Sequence, residues 1–348
     1  MKHKYSVSSK DVAREAGVSQ ATVSYILNNA RNVKIKPETR QAVLDAIKKL
    51  NYYPNQIARG MKLRKSMSVG VVTDRSVTNF YFMKVLEGMK DGFQEDNYSI
   101  TLLFDKHEKI EDAEFIKYYN SNRIDGVIFV FASISDDEIE HMNSTGLPYV
   151  VVDTHPSGRN VHEICTDHLA HIQDVIGYFK SRDIKNIAYA GPMPKCRNDR
   201  RLEAFINAMV YHGFEPKDNL IIRSTADDKE LPEAFKKLFE NKNFKPGAII
   251  AGSPKFGMLT VKSCLAFGMK IPGDVSIVAV GSSNIFDLVY PPLSSIDLPL
   301  YDMGLKAAQV LLNLIKGGDK GGGNGSGKAG EETMTILLPS ELTLRESS

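Results

Sequence analysis

The sequence predicts an α/β protein in which a small all-α head precedes two doubly wound, parallel-sheet lobes. Three observations support this fold class. The chain has 348 residues, which is too long for one compact core. Residues 8–50 carry three short helical patterns. From residue 66 onward, short apolar runs alternate with amphipathic segments, as expected for parallel sheets covered by helices on both faces.

Charge is distributed unevenly along the chain. Residues 1–65 hold 14 Lys and Arg against 4 Asp and Glu, whereas the whole chain holds 44 against 42. The head is therefore strongly basic, and the remainder is net acidic. A basic head indicates contact with a polyanion such as DNA, although a merely soluble basic terminus would carry the same charge.

The segment 8–28, SSKDVAREAGVSQATVSYILN, has the pattern of a helix-turn-helix. Ser8 or Ser9 can cap a first helix, because a serine hydroxyl accepts from the free N–H groups of the first turn. Gly17 suits the left-handed corner that follows, and Ser19 can cap a second helix. The outward side chains of that second helix are small or polar, as a DNA major groove requires: Gln20, Ala21, Thr22 and Tyr25.

A third helix is predicted to complete the head. Pro37 suits its first turn, and Val43, Ile47 and Leu50 recur on one face at helical spacing. Three short helices can bury one small core, so residues 1–53 are expected to form a DNA-binding domain. A three-helix bundle without a DNA-binding role is the alternative.

The rest of the chain is expected to form two rounds of alternating strands and helices. Predicted strands cover 68–73, 100–104, 126–131, 149–152, 186–190, 219–222, 248–251, 275–280 and 335–338. In such folds a ligand binds where the carboxyl ends of the strands face a cleft. The sequence therefore predicts a ligand cleft between the two lobes.

Other classes of function find less support in the sequence. The three cysteines lie far apart, and no nucleophile or metal spacing is present, so we expect no enzyme, cofactor or metal site. A solute-binding protein for transport would share the lobes, but it needs a signal peptide and no basic head. The N-terminus lacks an apolar run, and no run elsewhere reaches a membrane span, so we expect a cytoplasmic protein.

Two segments carry a resemblance to a known family. DVAREAGVSQATVSYILN and TRQAVLDAIKKLNYYPNQIARGMK resemble the N-terminus of lactose-repressor/galactose-repressor (LacI/GalR) regulators, and the likeness extends through nearly the whole chain. The resemblance implies a type I periplasmic-binding-protein architecture for the core, in which the chain crosses between the lobes near Asp167, Asp297 and Thr335.

The resemblance also implies domain boundaries. A hinge would occupy residues 54–65 and a dimerisation and effector-binding core residues 66–348. The N-lobe would comprise 66–166 and 298–334, and the C-lobe 167–297 and 335–348.

In this family the hinge becomes helical on DNA, and an apolar residue wedges into the minor groove. Met61 takes that place here, with Arg59 and Lys62 near phosphates. A basic flexible linker describes the same residues away from DNA. The full set of expected DNA contacts is Ser8, Ser19, Gln20, Ala21, Thr22, Tyr25, Asn28, Asn55, Arg59, Met61 and Lys62. A homodimer would place two heads on an inverted-repeat operator.

Effector contacts can also be carried over from the family position by position. The expected set is Asp74, Tyr81, Phe82, Asp153, Arg200, Arg201, Ser253 and Ser282. The aspartates, arginines and aromatic residues of this set each have a structural alternative: the aspartates can cap turns or helices, the arginines can form surface ion pairs, and the aromatic residues can be simple core.

The sequence departs from the family pattern at two strand ends. Gly252 and Gly281 stand, each followed by a serine, where the family commonly has Asn-Asp and Asp-Asp. Lys195 and Arg197 join the two predicted effector arginines near the start of one helix, where anions bind favourably. We therefore expect an anionic effector, such as a phosphorylated sugar, or no small effector at all.

A last motif concerns a possible protein partner. The sequence YDMG at 301–304 resembles one in family members controlled by a phosphorylated carrier protein. A helix start that packs at a dimer interface is the simpler interpretation. Together these features predict a transcription repressor of a carbohydrate or related catabolic operon, controlled by a small effector or a partner protein.

Overall fold

The structure is a computed structural model. It describes residues 7–27, 33–52, 65–104, 107, 109–153, 161–192, 200–224, 230–240, 245–318 and 333–348. Within these ranges the mixed α/β fold class is confirmed, with a helical head and two sheets of six strands each.

The head contains the three predicted helices: α1 (Ser9–Glu15), α2 (Gln20–Leu27) and α3 (Pro37–Leu50). Ser8 precedes α1, and its N–H and hydroxyl both donate to Asp11, at 3.0 and 2.7 Å. Gly17 turns the chain with φ +64°, a conformation that a side chain disfavours. Ser19 caps α2 by accepting from the Thr22 N–H at 3.1 Å. The capping residues expected from the sequence therefore define both helix starts.

One small apolar core holds the head together. Its buried members come from all three helices: Val12, Ala13, Val23, Ile26, Val43 and Ala46. An ion pair of 2.6 Å between Lys49 and Glu15 links α3 to α1 at the surface. The position of α2 is thus set by apolar packing on its inner face, which leaves its outer face for other contacts.

The first lobe is a parallel sheet in the order β11-β5-β4-β3-β1-β2. Its strands are β1 (Ser68–Val72), β2 (Ser99–Leu103), β3 (Val127–Val130), β4 (Tyr149–Val152), β5 (Glu163–Thr166) and β11 (Thr335–Leu338). Its helices are α4 (Phe80–Gln94), α5 (Glu114–Asn120), α6 (Asp136–Thr145) and α11 (Leu300–Gly318). Ile128 of β3 packs into the apolar cluster on one face, and Val127 into that on the other. Helices thus cover both faces, as continuous apolar strands require.

The second lobe repeats this plan in the order β12-β10-β9-β8-β6-β7. Its strands are β6 (Ile187–Pro192), β7 (Ile221–Ser224), β8 (Ala248–Ala251), β9 (Ser276–Val280), β10 (Ser294–Asp297) and β12 (Glu341–Thr343). Its helices are α7 (His168–Ser181), α8 (Arg200–Tyr211), α9 (Glu230–Glu240) and α10 (Pro254–Ala266). All neighbours are parallel except β12, which runs antiparallel to β10.

The expected assignment of residues from 335 onward to the C-lobe is wrong for the strand at 335–338. β11 pairs in parallel with β5 of the first lobe, with Thr335 opposite Glu163. The chain therefore crosses to the second lobe after β11, and β12 is the strand of this C-terminal segment that joins the second sheet. β11 is an edge strand with alternating burial, so its sequence does not reveal which sheet it joins. The sequence also missed β5 and β10, because charged and hydroxyl side chains interrupt their apolar runs.

Helices α4 and α11 cross at glycines. A Cβ on Gly88 would overlap the carbonyl oxygen of Tyr301, and one on Gly304 would overlap that of Val85. The backbones therefore touch directly, which only glycine allows. Met303, next to Gly304, is buried in the same cluster. Among the described helices, none is long and apolar enough to cross a membrane.

We expect Gly304→Ala to lower the free energy of unfolding by about 1–3 kcal/mol, because the two backbones must separate to admit the methyl group. Gly317→Ala is the matched control in the same helix, since a Cβ there meets nothing within 4 Å. It should be neutral or stabilise by up to ~1 kcal/mol. Urea denaturation of the full chain measures both. Equal effects of the two substitutions would contradict the close crossing.

Candidate functional sites: a helix face and an interlobe cleft

The outer face of α2 is the first candidate site. Gln20, Ala21 and Tyr25 are exposed, and 43% of Tyr25 is accessible. The Gln20 amide donates to Ser9 Oγ at 2.8 Å, which fixes its direction relative to α1. Thr22 is half-buried, and its hydroxyl lies 2.9 Å from that of Ser19. This face therefore offers amide, methyl and phenol groups from a rigid helix.

The remaining predicted DNA contacts divide into two groups. Ser8 is exposed at the start of α1, and Ser19 is exposed at the start of α2. The predicted contacts Asn28, Asn55, Arg59, Met61 and Lys62 lie outside the described residues, as does the predicted hinge up to residue 64.

The second candidate site is the cleft between the lobes, where Arg201 of α8 reaches Asp153 after β4. Arg201 donates to the Gly252 carbonyl at 2.8 Å, and its other terminal nitrogen lies 3.8 Å from Asp153 Oδ2. Asp153 is buried and has a left-handed backbone, with φ +49°. Since Asp153 belongs to the first lobe and the other two residues to the second, this contact joins the lobes.

Arg200 makes a second contact across the cleft. Its guanidinium lies 3.3 Å from Oε1 of Glu163, a buried residue of β5. Both predicted effector arginines therefore face carboxylates of the opposite lobe. The other two basic residues of the predicted cluster, Lys195 and Arg197, lie outside the described residues. An anionic effector would gain less from the two arginines than the sequence predicts, because their charge is balanced locally.

Tyr81 enters the cleft from α4, whereas Phe82 does not. The Tyr81 hydroxyl is buried against Gly281 and has no hydrogen-bond partner among the described residues. Burial raises the pKa of this phenol, partly offset by nearby Arg201, so it stays neutral. Phe82 is fully buried in the core of the first lobe, so its expected effector contact is wrong. Neighbouring positions on a helix face different directions, and the sequence alone did not show which one faced the cleft.

Of the other three predicted effector residues, Asp74 and Ser253 make contacts within their own lobes. Asp74 accepts from the N–H and hydroxyl of Ser133, at 2.9 and 3.1 Å, and so ties the loop after β1 to the loop after β3. Ser253 caps α10 by accepting from the Phe256 N–H at 3.4 Å. Ser282 follows β9 and is half-buried. Asp74 therefore joins two loops instead of capping a turn or helix, whereas Ser253 caps a helix.

A cavity of about 960 Å³ lies at the carboxyl ends of the first-lobe strands. It is lined by Val72, Asp74, His107, Lys109, Ile110, Glu111, Ser133, Ser135, Asp137 and Glu138. Of the eight predicted effector residues, only Asp74 belongs to this lining. Within the described ranges, no group of three or more His, Cys, Asp or Glu could hold a metal ion.

The sequence analysis missed three polar residues at the cleft. Glu163 faces Arg200, and His168 Nε2 lies 3.6 Å from Asp153 Oδ1. Tyr189 is fully buried, with its hydroxyl against Gly252. Glu163 and His168 flank the point where the chain enters the second lobe, so their position near the predicted crossing was a usable signal.

Comparison with known proteins relates both sites to established families. Residues 9–55 match the model described as bacterial regulatory proteins, lacI family, and residues 176–348 match the periplasmic binding protein-like domain. Catabolite control protein A of Staphylococcus xylosus is 30% identical over 302 residues, which cover 86% of this chain and 90% of that protein.

Two solved structures share the whole architecture. The lac repressor dimer bound to operator and the anti-inducer ONPF has 21% identity and a TM-score of 0.76, and covers 98% of each chain. A complex of the transcriptional regulator CelR with cellobiose has 23% identity and a TM-score of 0.68, covering 98% of this chain and 100% of the other. At these identities the likeness supports the fold.

Acidification should destabilise the protein through His171 of α7. Burial lowers the pKa of this imidazole below its usual 6.5, and neighbouring His168 lowers it further, against Asp167 and Asp174, which raise it. In this pH range the imidazole binds a proton more readily in the unfolded chain than in the folded one. The free energy of unfolding therefore falls as pH drops from about 7 to 5.

In urea denaturation at several pH values, His171→Gln should reduce that fall. The control, His141→Gln on the partly exposed side of α6, should keep the wild-type pH dependence. An unchanged pH dependence in the His171 variant would show that this imidazole is not the cause.

Proposed function

Because the chain belongs to the lacI family of bacterial regulatory proteins, we propose that it represses a carbohydrate or related catabolic operon under the control of a ligand or partner bound to its core. It is a DNA-binding transcription regulator and not an enzyme. The observation that carries the proposal is the exposed, polar outer face of α2 on a rigidly packed head. Its place of action would be the cytoplasm, where the operator is accessible.

On DNA, α2 would lie in the major groove. A glutamine amide can pair with an adenine edge, and a serine at a helix start can donate to a phosphate. Gln20 and Ser19 would take these two roles, which is supported by their exposure beside the exposed Tyr25. One head reads only a few base pairs, so two heads on an inverted repeat would supply the specificity.

An exposed apolar loop supports the proposed homodimer. Between β9 and β10, Leu288 is 81% and Tyr290 80% exposed, whereas Phe286 is fully buried and anchors the loop. Arg345 fixes the loop further by an ion pair of 2.6 Å with Asp287. Apolar side chains held in a fixed position in water are typical of protein interfaces. A second copy of the chain is the occupant that a two-headed operator requires.

The interlobe cleft is the proposed effector site. Arg201 offers donors and Asp153 an acceptor, which suit the hydroxyl groups of a sugar or a related metabolite. The effector would take over contacts that the two lobes now make with each other, and so change the balance between open and closed cores. Calorimetry of the full chain against phosphorylated and unphosphorylated sugars tests whether the ligand is anionic.

A partner protein is the second candidate controller. At the start of α11, Tyr301 and Asp302 are exposed, and the Tyr301 hydroxyl donates to Asp91 at 2.9 Å. The next two residues, Met303 and Gly304, serve the crossing with α4. Only the first half of the YDMG motif is therefore available to a partner.

Gln20→Ala should weaken binding to an inverted-repeat operator by about 1–3 kcal/mol, the usual value of one good amide–base pair. Non-specific binding should barely change, because phosphates supply most of it. The operator can be selected from a randomised duplex and the affinities measured by fluorescence anisotropy. Gln41→Ala is the matched control, an exposed glutamine on α3 whose amide bonds Asp45. Equal losses in both variants would contradict base reading by α2.

Leu288→Asp should convert the dimer to monomer at micromolar concentration, because a charge would be buried at the apolar interface. Sedimentation velocity of the full chain measures the assembly. Val210→Asp is the control, since Val210 is also an exposed apolar residue, 61% accessible, but belongs to a different element, α8. A Leu288→Asp variant that stays dimeric would exclude this loop as the interface.

A further inference from the structure

Two tyrosine hydroxyls occupy the space beside two glycines at the strand ends of the second lobe. Gly252 directly follows β8, and Gly281 directly follows β9. A Cβ on Gly252 would overlap the hydroxyl of Tyr189, and a Cβ on Gly281 would overlap that of Tyr81. The two tyrosine hydroxyls therefore fit in these places only because residues 252 and 281 have no side chains.

The two tyrosines differ in origin. Tyr189 lies on β6 of the same lobe as its glycine, and its ring packs against Phe205. Tyr81 comes from α4 of the opposite lobe, where its ring packs near Phe131 with centroids 6.5 Å apart. Only the contact of Tyr81 with Gly281 therefore depends on how the lobes are placed.

The Tyr81 ring lies where the two arginine contacts also cross the cleft. Arg201 and Asp153 both influence its phenol electrostatically, as does Asp297 at the end of β10. The hydroxyl itself is buried and makes no hydrogen bond within the described part of the chain. A phenol that gains no hydrogen bond in this position is held there by its ring, which fills the space against Gly281.

Gly281 has two separate reasons to be glycine. Its φ is +86°, which a side chain disfavours, and the Tyr81 hydroxyl leaves no room for a Cβ. Gly268 shares the first reason, with φ +71°, but a Cβ there meets nothing within 4 Å. The chain thus offers a natural comparison that separates backbone strain from loss of the tyrosine contact.

We propose that Tyr81 is an interlobe latch: its side chain occupies the position beside Gly281 and holds the lobes closed without a ligand. A ligand must then either fit around the ring or displace it from Gly281. The inference rests on the proposed function in that the cleft is taken as the regulatory site. Shortening Tyr81, or adding a side chain at position 281, should open the cleft.

The experiment measures the distance between the lobes by pulsed EPR on the full chain. Spin labels at Ser76 and Asn284 mark exposed loops after β1 and β9, one on each lobe. Cys196 is replaced by serine, while Cys165 and Cys264 are buried and can remain. Dilution with unlabelled protein restricts the measurement to distances within one protomer.

Tyr81→Ala and Gly281→Ala should each lengthen or broaden the distance distribution, and the double variant should do no more than either alone. Tyr81→Phe keeps the ring and should stay closed, and Gly268→Ala should match the wild type. Wild-type distances in both Tyr81→Ala and Gly281→Ala would overturn the proposal, and so would opening in Tyr81→Phe.

Two further measurements separate other causes. Far-UV circular dichroism and thermal unfolding show whether each variant is folded, and Gly268→Ala reports the cost of the strained backbone alone. Operator affinity is measured on the same samples. A wild-type chain that binds no inverted-repeat DNA would refute the proposed function, while the interlobe distances would still decide the role of Tyr81.

Discussion

Buried carboxylates need partners, and the two buried carboxylates at the interlobe cleft have arginine partners in the opposite lobe. Asp153 and Glu163 belong to the first lobe, and Arg201 and Arg200 of α8 approach them from the second. These two ion pairs can therefore form only when the lobes lie close together. If the lobes part, water replaces each contact, so the net free energy of the pairing is small. Such pairs fix how the lobes are arranged more than they stabilise the closed form.

Some of the site residues could be predicted from the sequence, and others could not. Asp153 and Arg201 were expected at the cleft because the family resemblance carries effector contacts over to these two positions, and the structure brings them to 3.8 Å from each other. The head was predictable in detail, because its caps and its glycine corner are local signals. Phe82 was not, since helix register decides between core and cleft.

Long-range pairing was the least predictable part of the fold. β11 and β12 lie close together in the sequence but join different sheets. Strand β5 contains Glu163, and β10 begins with two serines, so neither shows the apolar run that identifies a buried strand. In both cases the polar side chain serves a tertiary contact, as when Glu163 meets Arg200. The sequence shows that a polar residue is present, but it does not show the distant partner that allows this residue to lie in a buried strand.

Two glycines at the cleft also show how the sequence gives a residue but not its tertiary contacts. From the sequence, Gly252 and Gly281 mean only that polar side chains are missing from the cleft. In the structure the hydroxyls of Tyr189 and Tyr81 occupy the space beside these two positions, so aromatic side chains take up the room that a polar side chain would need. A ligand shifts a two-state equilibrium only by its difference in affinity for the two states. Since one ring and two arginines already join the lobes, an effector of this core would act by replacing contacts that the chain makes with itself.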